Sequence, residues 1–252
     1  MKKQNTPFAR IENLTLGYGG DSVVRDVNFT INTGDIFVIM GMSGCGKSTI
    51  MRAMVGLMKP MAGCILINGS DLWGVDAQTR EDIIRSFGVS YQSGALFSSM
   101  TVYENVALPL ELKTHMSHNE ISKRVYEKLS MVGLDEFADF YPSEISGGMI
   151  KRAALARALV TEPRALFFDE PSAGLDPVRS KQLDDLIQTI NRKMNTTIIM
   201  VTHELPTIMT IATNSVYIDA QTKTVGAYGA PYEILRTTKN REIQDFLTRG
   251  EN

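Results

Sequence analysis

The sequence predicts an α/β fold: a largely parallel sheet, with an antiparallel β portion at its start and a helical segment inserted in the middle. Three observations carry this. Strand-length apolar runs alternate with helix-period segments over most of the 252 residues. Residues 8–31 hold two stretches of alternating apolar and polar residues separated by glycines. Residues 93 to about 162 keep helical periodicity and offer no strand.

The elements follow in order. Residues 8–16 and 23–31 read as strands joined through Gly17, Gly19, Gly20 and Asp21, a turn composition. The unbroken apolar run 36–40 reads as a buried strand. It enters a glycine-rich turn at 41–46, and Ile50, Met51, Met54, Val55 and Leu57 then mark a helix. Residues 64–67 form a further strand closed by Asn68-Gly69, and residues 89–92 the end of another. Helical periods cover 120–132 and 147–160. Strands return at 165–168, 197–201 and 216–218, with helices at 183–194 and 204–212 between them and a mostly helical stretch at 231–247.

Composition narrows the function classes. Hydrophobic residues make up 43% and charged residues 21%, ordinary for a globular chain with a sizeable core. With 26 Lys plus Arg against 28 Asp plus Glu, the formal charge of -2 provides no global basic field for nucleic acid or an anionic membrane. Cys45 and Cys64 lack the spacing of a disulfide framework or a zinc site. His115 and His118 read as solvated, not as a metal pair, and the 14 methionines as core or subunit contact. No run approaches the ~18 apolar residues of a membrane-spanning helix. Met1-Lys2-Lys3 is followed by Gln4-Asn5-Thr6-Pro7 and not by an apolar segment, so no secretory signal is expected. The chain is expected to stay in the cytosol and to reach a membrane only through a partner.

The chemistry is concentrated in two motifs. Gly41-Met42-Ser43-Gly44-Cys45-Gly46-Lys47-Ser48 fits G-x-x-x-x-G-K-[ST], with Thr49 following. A turn that wraps phosphates needs residues without Cβ, so that N–H groups converge on the oxygens. The next helix adds unpaired N–H groups and the positive end of its dipole. Lys47 supplies a cation for the β/γ-phosphates, and the Ser48 hydroxyl can ligate Mg²⁺. Cys45 reads as a small filler of the loop. The second motif is an apolar strand ending in Asp169-Glu170. Taken alone, such an ending is more often a strand running into a solvated turn. Downstream of a phosphate loop it places Asp169 to hold Mg²⁺ and Glu170 to act as general base on water.

With these motifs, Ile145-Ser146-Gly147-Gly148-Met149 resembles the signature sequence of the ATP-binding cassette (ABC) transporters, P-loop NTPases. Ser146 and the two glycines expose N–H groups at a helix start, a second anion site. The resemblance covers about residues 11–247 and implies one ABC nucleotide-binding domain over 8–247. Its antiparallel β subdomain would be joined by an inserted α-helical subdomain at about 93–162, and 248–252 would be a loose tail. It further implies ATP and Mg²⁺ bound in a head-to-tail dimer, each ATP lying between one chain's phosphate loop and the other's signature helix. By the same resemblance Tyr18 would stack on adenine and Gln92 would reach Mg²⁺ and water. Asp176 would cross the dimer interface, and His203 would meet the γ-phosphate. Gly41, Ser43, Gly44, Cys45, Gly46, Lys47, Ser48, Thr49, Ser146, Gly147 and Gly148 would surround the nucleotide. Met149 and Ile145 depart from the usual glutamine and leucine of the signature.

Residues 92–110, the methionine in the signature and the ending 228–235 resemble the ATPases of Mce-protein lipid transporters, among them the Mla system. This resemblance implies permease subunits, an Mce-domain ring and a small STAS-domain protein as partners. It also implies phospholipid movement between two membranes, with the chain peripheral at the cytoplasmic face of a bacterial inner membrane. The apolar Ala95-Leu96-Phe97 is placed to receive a permease helix. An amino-acid importer or exporter subunit is the alternative within transport. A DNA- or ribosome-directed ABC ATPase is the alternative outside it, disfavoured by the near-neutral charge and the absence of long coiled-coil insertions.

Overall fold

The computed structural model describes residues 7–248; residues 1–6 and 249–252, most of the expected loose tail, lie outside the described residues. In chain order the elements are β1 (Pro7–Tyr18), β2 (Asp21–Asn32), β3 (Ile36–Met40), α1 (Lys47–Met54), β4 (Ala62–Ile67), β5 (Ser70–Asp71), α2 (Ala77–Arg85) and β6 (Phe87–Ser90). Three helices follow, α3 (Val102–Lys113), α4 (His118–Met131) and α5 (Gly147–Leu159). The chain then runs through β7 (Ala165–Asp169), α6 (Pro177–Met194), β8 (Thr197–Val201), α7 (Leu205–Ile211), β9 (Asn214–Ile218), β10 (Val225–Gly229), α8 (Pro231–Thr237) and α9 (Arg241–Thr248).

Two sheets form. An antiparallel sheet has the order β2-β1-β4-β5, and a six-stranded sheet has the order β10-β9-β3-β8-β7-β6. In the second sheet every pairing is parallel except that of β10 with β9. This is the α/β class that the alternation predicts, with the antiparallel β subdomain that the family resemblance implies.

Burial on both faces explains the unbroken apolar strands. Along β3, Ile36, Val38 and Met40 enter a core shared with the helices, including α3, α4 and α5. Phe37 and Ile39 point the other way, into a core shared with α1 and the antiparallel sheet. Phe37 stacks there on Phe29, with ring centroids 5.4 Å apart. Each such side chain, fully buried, contributes roughly 1.5–3 kcal/mol, so this strand fastens the two layers together.

Strand register sets where chemistry can occur. Ile39 and Asp169 are both level with Val201, and Ser90 is level with Phe168. The chain therefore leaves β3, β8, β7 and β6 at one edge. Gly41, His203, Glu170 and Gln92 follow those four strands within two residues, at the carboxyl end where α/β sheets bind ligands.

Several elements differ from the sequence expectation. Helix α6 begins at Pro177, with proline in its first turn and Asp176 as its cap, six residues before the apolar period becomes visible. Helix α3 carries Pro109 and little amphipathic contrast, which hid it. The short strands β5 and β10 and helix α2, which has no fully buried residue, bury too little to announce themselves. Strand β6 ends at Ser90, so Gln92 stands on the loop beyond it.

Candidate functional site

The phosphate loop is shaped by contacts that tolerate only glycine at two points. Gly41 has φ 145°, and a Cβ there would lie 2.5 Å from the Ile218 carbonyl oxygen on β9. Gly46 has φ 101°, and its Cβ would meet Val24 Cγ1 of β2 at 2.6 Å. The loop is thus pressed between the two sheets, and α1 starts directly from it. Lys47 opens that helix and folds back, its Nζ donating to the carbonyls of Gly41 and Met42, both at 2.9 Å. The ammonium is buried, so those two bonds carry the cost of holding a cation there. Side chains of Asp76, Thr101, Ser117, Ser146 and Asp176 cap α2 to α6, whereas none caps α1. Its first N–H groups point at the loop's concavity and suit an anion.

Cys45 lies beneath the loop, 4.0 Å from Lys47 Nζ. Burial pushes its thiol up against the opposing pull of Lys47, which suits packing and not thiolate chemistry.

The acidic pair faces this loop. Ser48 Oγ donates to Asp169 Oδ1 at 3.0 Å. Burial pushes the Asp169 carboxyl up, although Ser48 donates to it and Arg52 and Lys47 lie near. A half-buried carboxylate beside a hydroxyl is an all-oxygen donor set, the kind a hard divalent cation takes, and such an ion would relieve the burial cost. Mg²⁺ fits these residues.

Glu170 has φ 48°, a left-handed conformation that costs a non-glycine residue about 1–2 kcal/mol. Three bonds hold it there. Its N–H donates to the Val201 carbonyl at 2.8 Å. Thr202 Oγ1 donates to Oε2 at 3.2 Å, and His203 Nδ1 pairs with Oε1 at 2.7 Å. Thr202, which the sequence reading passed over, is fully buried under the carboxylate.

One cavity of about 340 Å³ gathers Ser43, Gly44, Gly46, Lys47, Ser48, Thr49, Gln92, Asp169, Glu170 and His203. Gly41 and Cys45 support the loop from below, and Tyr18 is exposed at the end of β1 outside the cavity wall. The set combines a helix N-terminus and a cation for phosphates, oxygen donors for a metal, and an oriented carboxylate that can accept a proton from water.

Ser146, Gly148 and Asp176 are not brought there. Ser146 caps α5, its hydroxyl accepting from Met149 N at 3.3 Å. With Gly148, Met149 and Arg152 it lines a separate cavity of about 240 Å³ that shares no residue with the first. Gly147 is exposed, and a Cβ there would meet nothing within 4 Å. Asp176 is engaged in its own chain. It caps α6 by accepting from Val178 N and Arg179 N at 3.1 and 3.0 Å, and pairs with the Arg179 side chain at 3.3 Å. Those backbone bonds hold its carboxyl below the usual range. The family resemblance implies a role for Asp176 across an interface, and its spacing carries no sign of this capping role.

Two further side chains escaped the sequence reading. Arg157 on α5 donates to the carbonyls of Ala95 and Gly94 at 2.7 and 2.8 Å, tying the loop after Gln92 to the helix that Ser146 opens. Asn105 is fully buried on α3. Its amide donates to the carbonyls of Phe97, Met100 and Thr101 and its oxygen accepts from Phe97 N, so the loop that exposes Phe97 is fixed from behind. A lone asparagine among the apolar positions of Val102, Val106 and Leu110 was the available signal.

The known proteins that share this arrangement define its class. The ABC transporter family matches residues 24–173, and the chain belongs to that family. Its fold and site are those of the ATP-binding cassette of that family. The chain is 40% identical over 237 residues to the probable ribonucleotide transport ATP-binding protein mkl of Mycobacterium tuberculosis, covering 94% of this chain and 65% of that protein. It is 36% identical over 248 residues to the intermembrane phospholipid transport system ATP-binding protein MlaF of Haemophilus influenzae, covering 98% and 92%. The spermidine/putrescine import ATP-binding protein PotA of the same species is 35% identical, covering 97% and 63%. The chain thus spans about two thirds of the length of some relatives and nearly all of another. Among solved structures, CbiO1 of Clostridium perfringens, part of the CbiONQ complex, superposes with a TM-score of 0.84 at 28% identity, covering 92% of each chain. The bacterial ABC transporter cassette MJ0796, a dimer, gives 0.79 at 31%, covering 87% and 97%. That cassette is also known in a post-hydrolysis state with ADP and Pi. Among the described residues no helix is long and apolar enough to cross a membrane.

Proposed function

We propose that this chain is the ATP-hydrolysing motor of a transporter that moves phospholipid between the inner and outer membranes of a bacterial envelope. The observation that carries this reading is its end-to-end likeness to the phospholipid-system relative, 98% of one chain on 92% of the other. The amine importer relative is matched over only 63% of its length. The apolar loop at Phe97, half exposed and fixed by Asn105, supports docking of a permease there.

In this reading residues 8–247 form one cassette, with 93–162 as its helical subdomain. The α1 N-terminus, Lys47, and Ser43 to Thr49 hold the phosphates, and Tyr18 stacks on the adenine. Ser48, Asp169 and Gln92 would hold Mg²⁺, which would supply positive charge against that of the phosphates. Glu170 takes the proton of the attacking water, steadied by Thr202 and by His203, which also meets the γ-phosphate. Ser146, Gly147 and Gly148 act on the nucleotide of a second copy, with Asp176 at the interface. Gly147 supports this. Neither backbone strain nor a neighbouring atom in its own chain calls for glycine there. A surface left clear for something outside the chain accounts for it.

Partners would be a second copy, permease subunits, an Mce-domain protein and a small STAS-domain protein, with the chain peripheral at the cytoplasmic face of the inner membrane. Purification of the native complex tests this. Recovery of a permease with an Mce-domain protein supports the lipid reading, and recovery with a soluble amine- or amino-acid-binding protein overturns it.

A further inference from the structure

The interior of this chain contains a direct tie between its two separate nucleotide-facing parts. Lys151 lies on α5, five residues beyond the capping Ser146. Its Nζ donates to the carbonyl of Pro171 at 2.8 Å and to that of Ala173. Those carbonyls belong to the loop that carries Glu170 at one end and Asp176 at the other. We propose that Lys151 is a positioning residue for hydrolysis, fastening the Glu170 loop to the helix whose N-terminus serves the second copy's nucleotide. The inference rests on the reading of Glu170 as the base and of Ser146 to Gly148 as a shared anion site.

The physical case has three parts. First, the left-handed Glu170 must be held from more than one side. Strand β8 holds its N–H through Val201, and the next residue's carbonyl is held by Lys151. Second, the ammonium is half-buried. Desolvation draws its pKa down while the Glu170 charge opposes that, so the carboxylate lies within electrostatic reach of the cation. A cation kept in such a place is satisfied chiefly by these two carbonyls, and charge-assisted bonds of this kind are the stronger class. Third, the connection is between elements that answer to different nucleotides. A displacement of α5 on engaging the partner's phosphate reaches, through one side chain, the loop that aims this chain's own base. A lysine whose only role was solubility would place its ammonium in water.

The test is a graded series at one position in the purified chain. Lys151→Arg keeps two donors, Lys151→Gln keeps an uncharged donor for one carbonyl, and Lys151→Met keeps the stem alone. Steady-state ATPase, ATP affinity and thermal midpoint are measured for each, with Glu170→Gln as a control. The expected order of kcat is Arg, then Gln, then Met. Met should be lowered about tenfold or more and Arg should stay within about threefold of the parent, while KM and ATP affinity change less than about threefold. Graded losses at Gln and Arg keep the test decisive even if the Met variant folds poorly. A kcat within twofold in Gln and Met, equal impairment in Arg and Met, or losses that follow the thermal midpoint would each overturn the assignment. If Glu170→Gln itself turns over near the parental rate, the underlying reading of the base fails, and that failure is separate from a flat Lys151 series beside an inactive Glu170→Gln.

Discussion

Two helices of this molecule have glycine at their start, and they are built for opposite situations. Helix α1 follows Gly46, has no side-chain cap, and is surrounded within its own chain by Lys47, Asp169, Glu170 and His203. Helix α5 follows Ser146, is capped by that serine, and has neither a carboxylate nor a lysine in the cavity it lines. Gly46 is required by a neighbouring side chain, whereas Gly147 faces open space. The first is therefore shaped by intramolecular contact, and on the proposed reading the second is completed by another copy of the chain.

This contrast can be broken in steps. The largest expected effect is at α1. Lys47→Ala removes the phosphate cation and leaves two carbonyls without their donor, so ATP affinity should fall by at least about 100-fold in equilibrium binding. Normal affinity would remove the loop from the nucleotide. Next, Glu170→Gln should retain ATP affinity while turnover drops by about 100-fold or more, with dimer accumulating in ATP by light scattering. Near-parental turnover would strip Glu170 of its role.

At α5 the outcome should separate binding from hydrolysis. Ser146→Arg in every copy should abolish most ATPase activity while monomer affinity for ATP moves less than about threefold. A matching loss of monomer affinity would place both helix starts on one nucleotide and dissolve the contrast.

Two smaller effects concern the supports. Asn105→Ala should lower stability by about 2–4 kcal/mol in denaturant unfolding, because buried loop groups lose several bonds at once. Asp184, buried on α6, has its carboxyl pushed up to about 6 by desolvation, partly offset by a bond from Thr207. The charged form is the one penalised, so the cost is absent below the ordinary carboxylate range and complete above about pH 6, some 3 kcal/mol at most. Asp184→Asn should therefore raise the melting temperature by a few degrees at pH 8, the gain shrinking toward pH 4. A gain that did not depend on pH would assign the effect to packing instead.

The legible parts of the chain are those where local pattern and tertiary role coincide. Residues 36–40 and 197–201 are strands at the bounds predicted for them, because a strand buried on both faces is apolar over nearly its whole length. The phosphate loop was legible for a related reason, since backbone geometry there admits few side chains. Helix α3 was not, because Pro109 signals a break and its apolar residues lie on more than one face. Asp176 was legible as a motif residue but not as the cap of α6, since a single carboxylate can serve both a helix start and a neighbour, and spacing does not say which.

By itself, the sequence determined the α/β class, the strand order of events along the chain, and which residue types could meet phosphate, because these follow from periodicity and from glycine's missing Cβ. Only the tertiary structure decided that Thr202 and His203 brace Glu170, that Lys151 and Arg157 tie α5 to two catalytic-edge loops, and that the signature cavity stands apart from the phosphate cavity. Those contacts join residues distant along the chain, and long-range juxtaposition is set by strand register and helix packing, which no local pattern encodes.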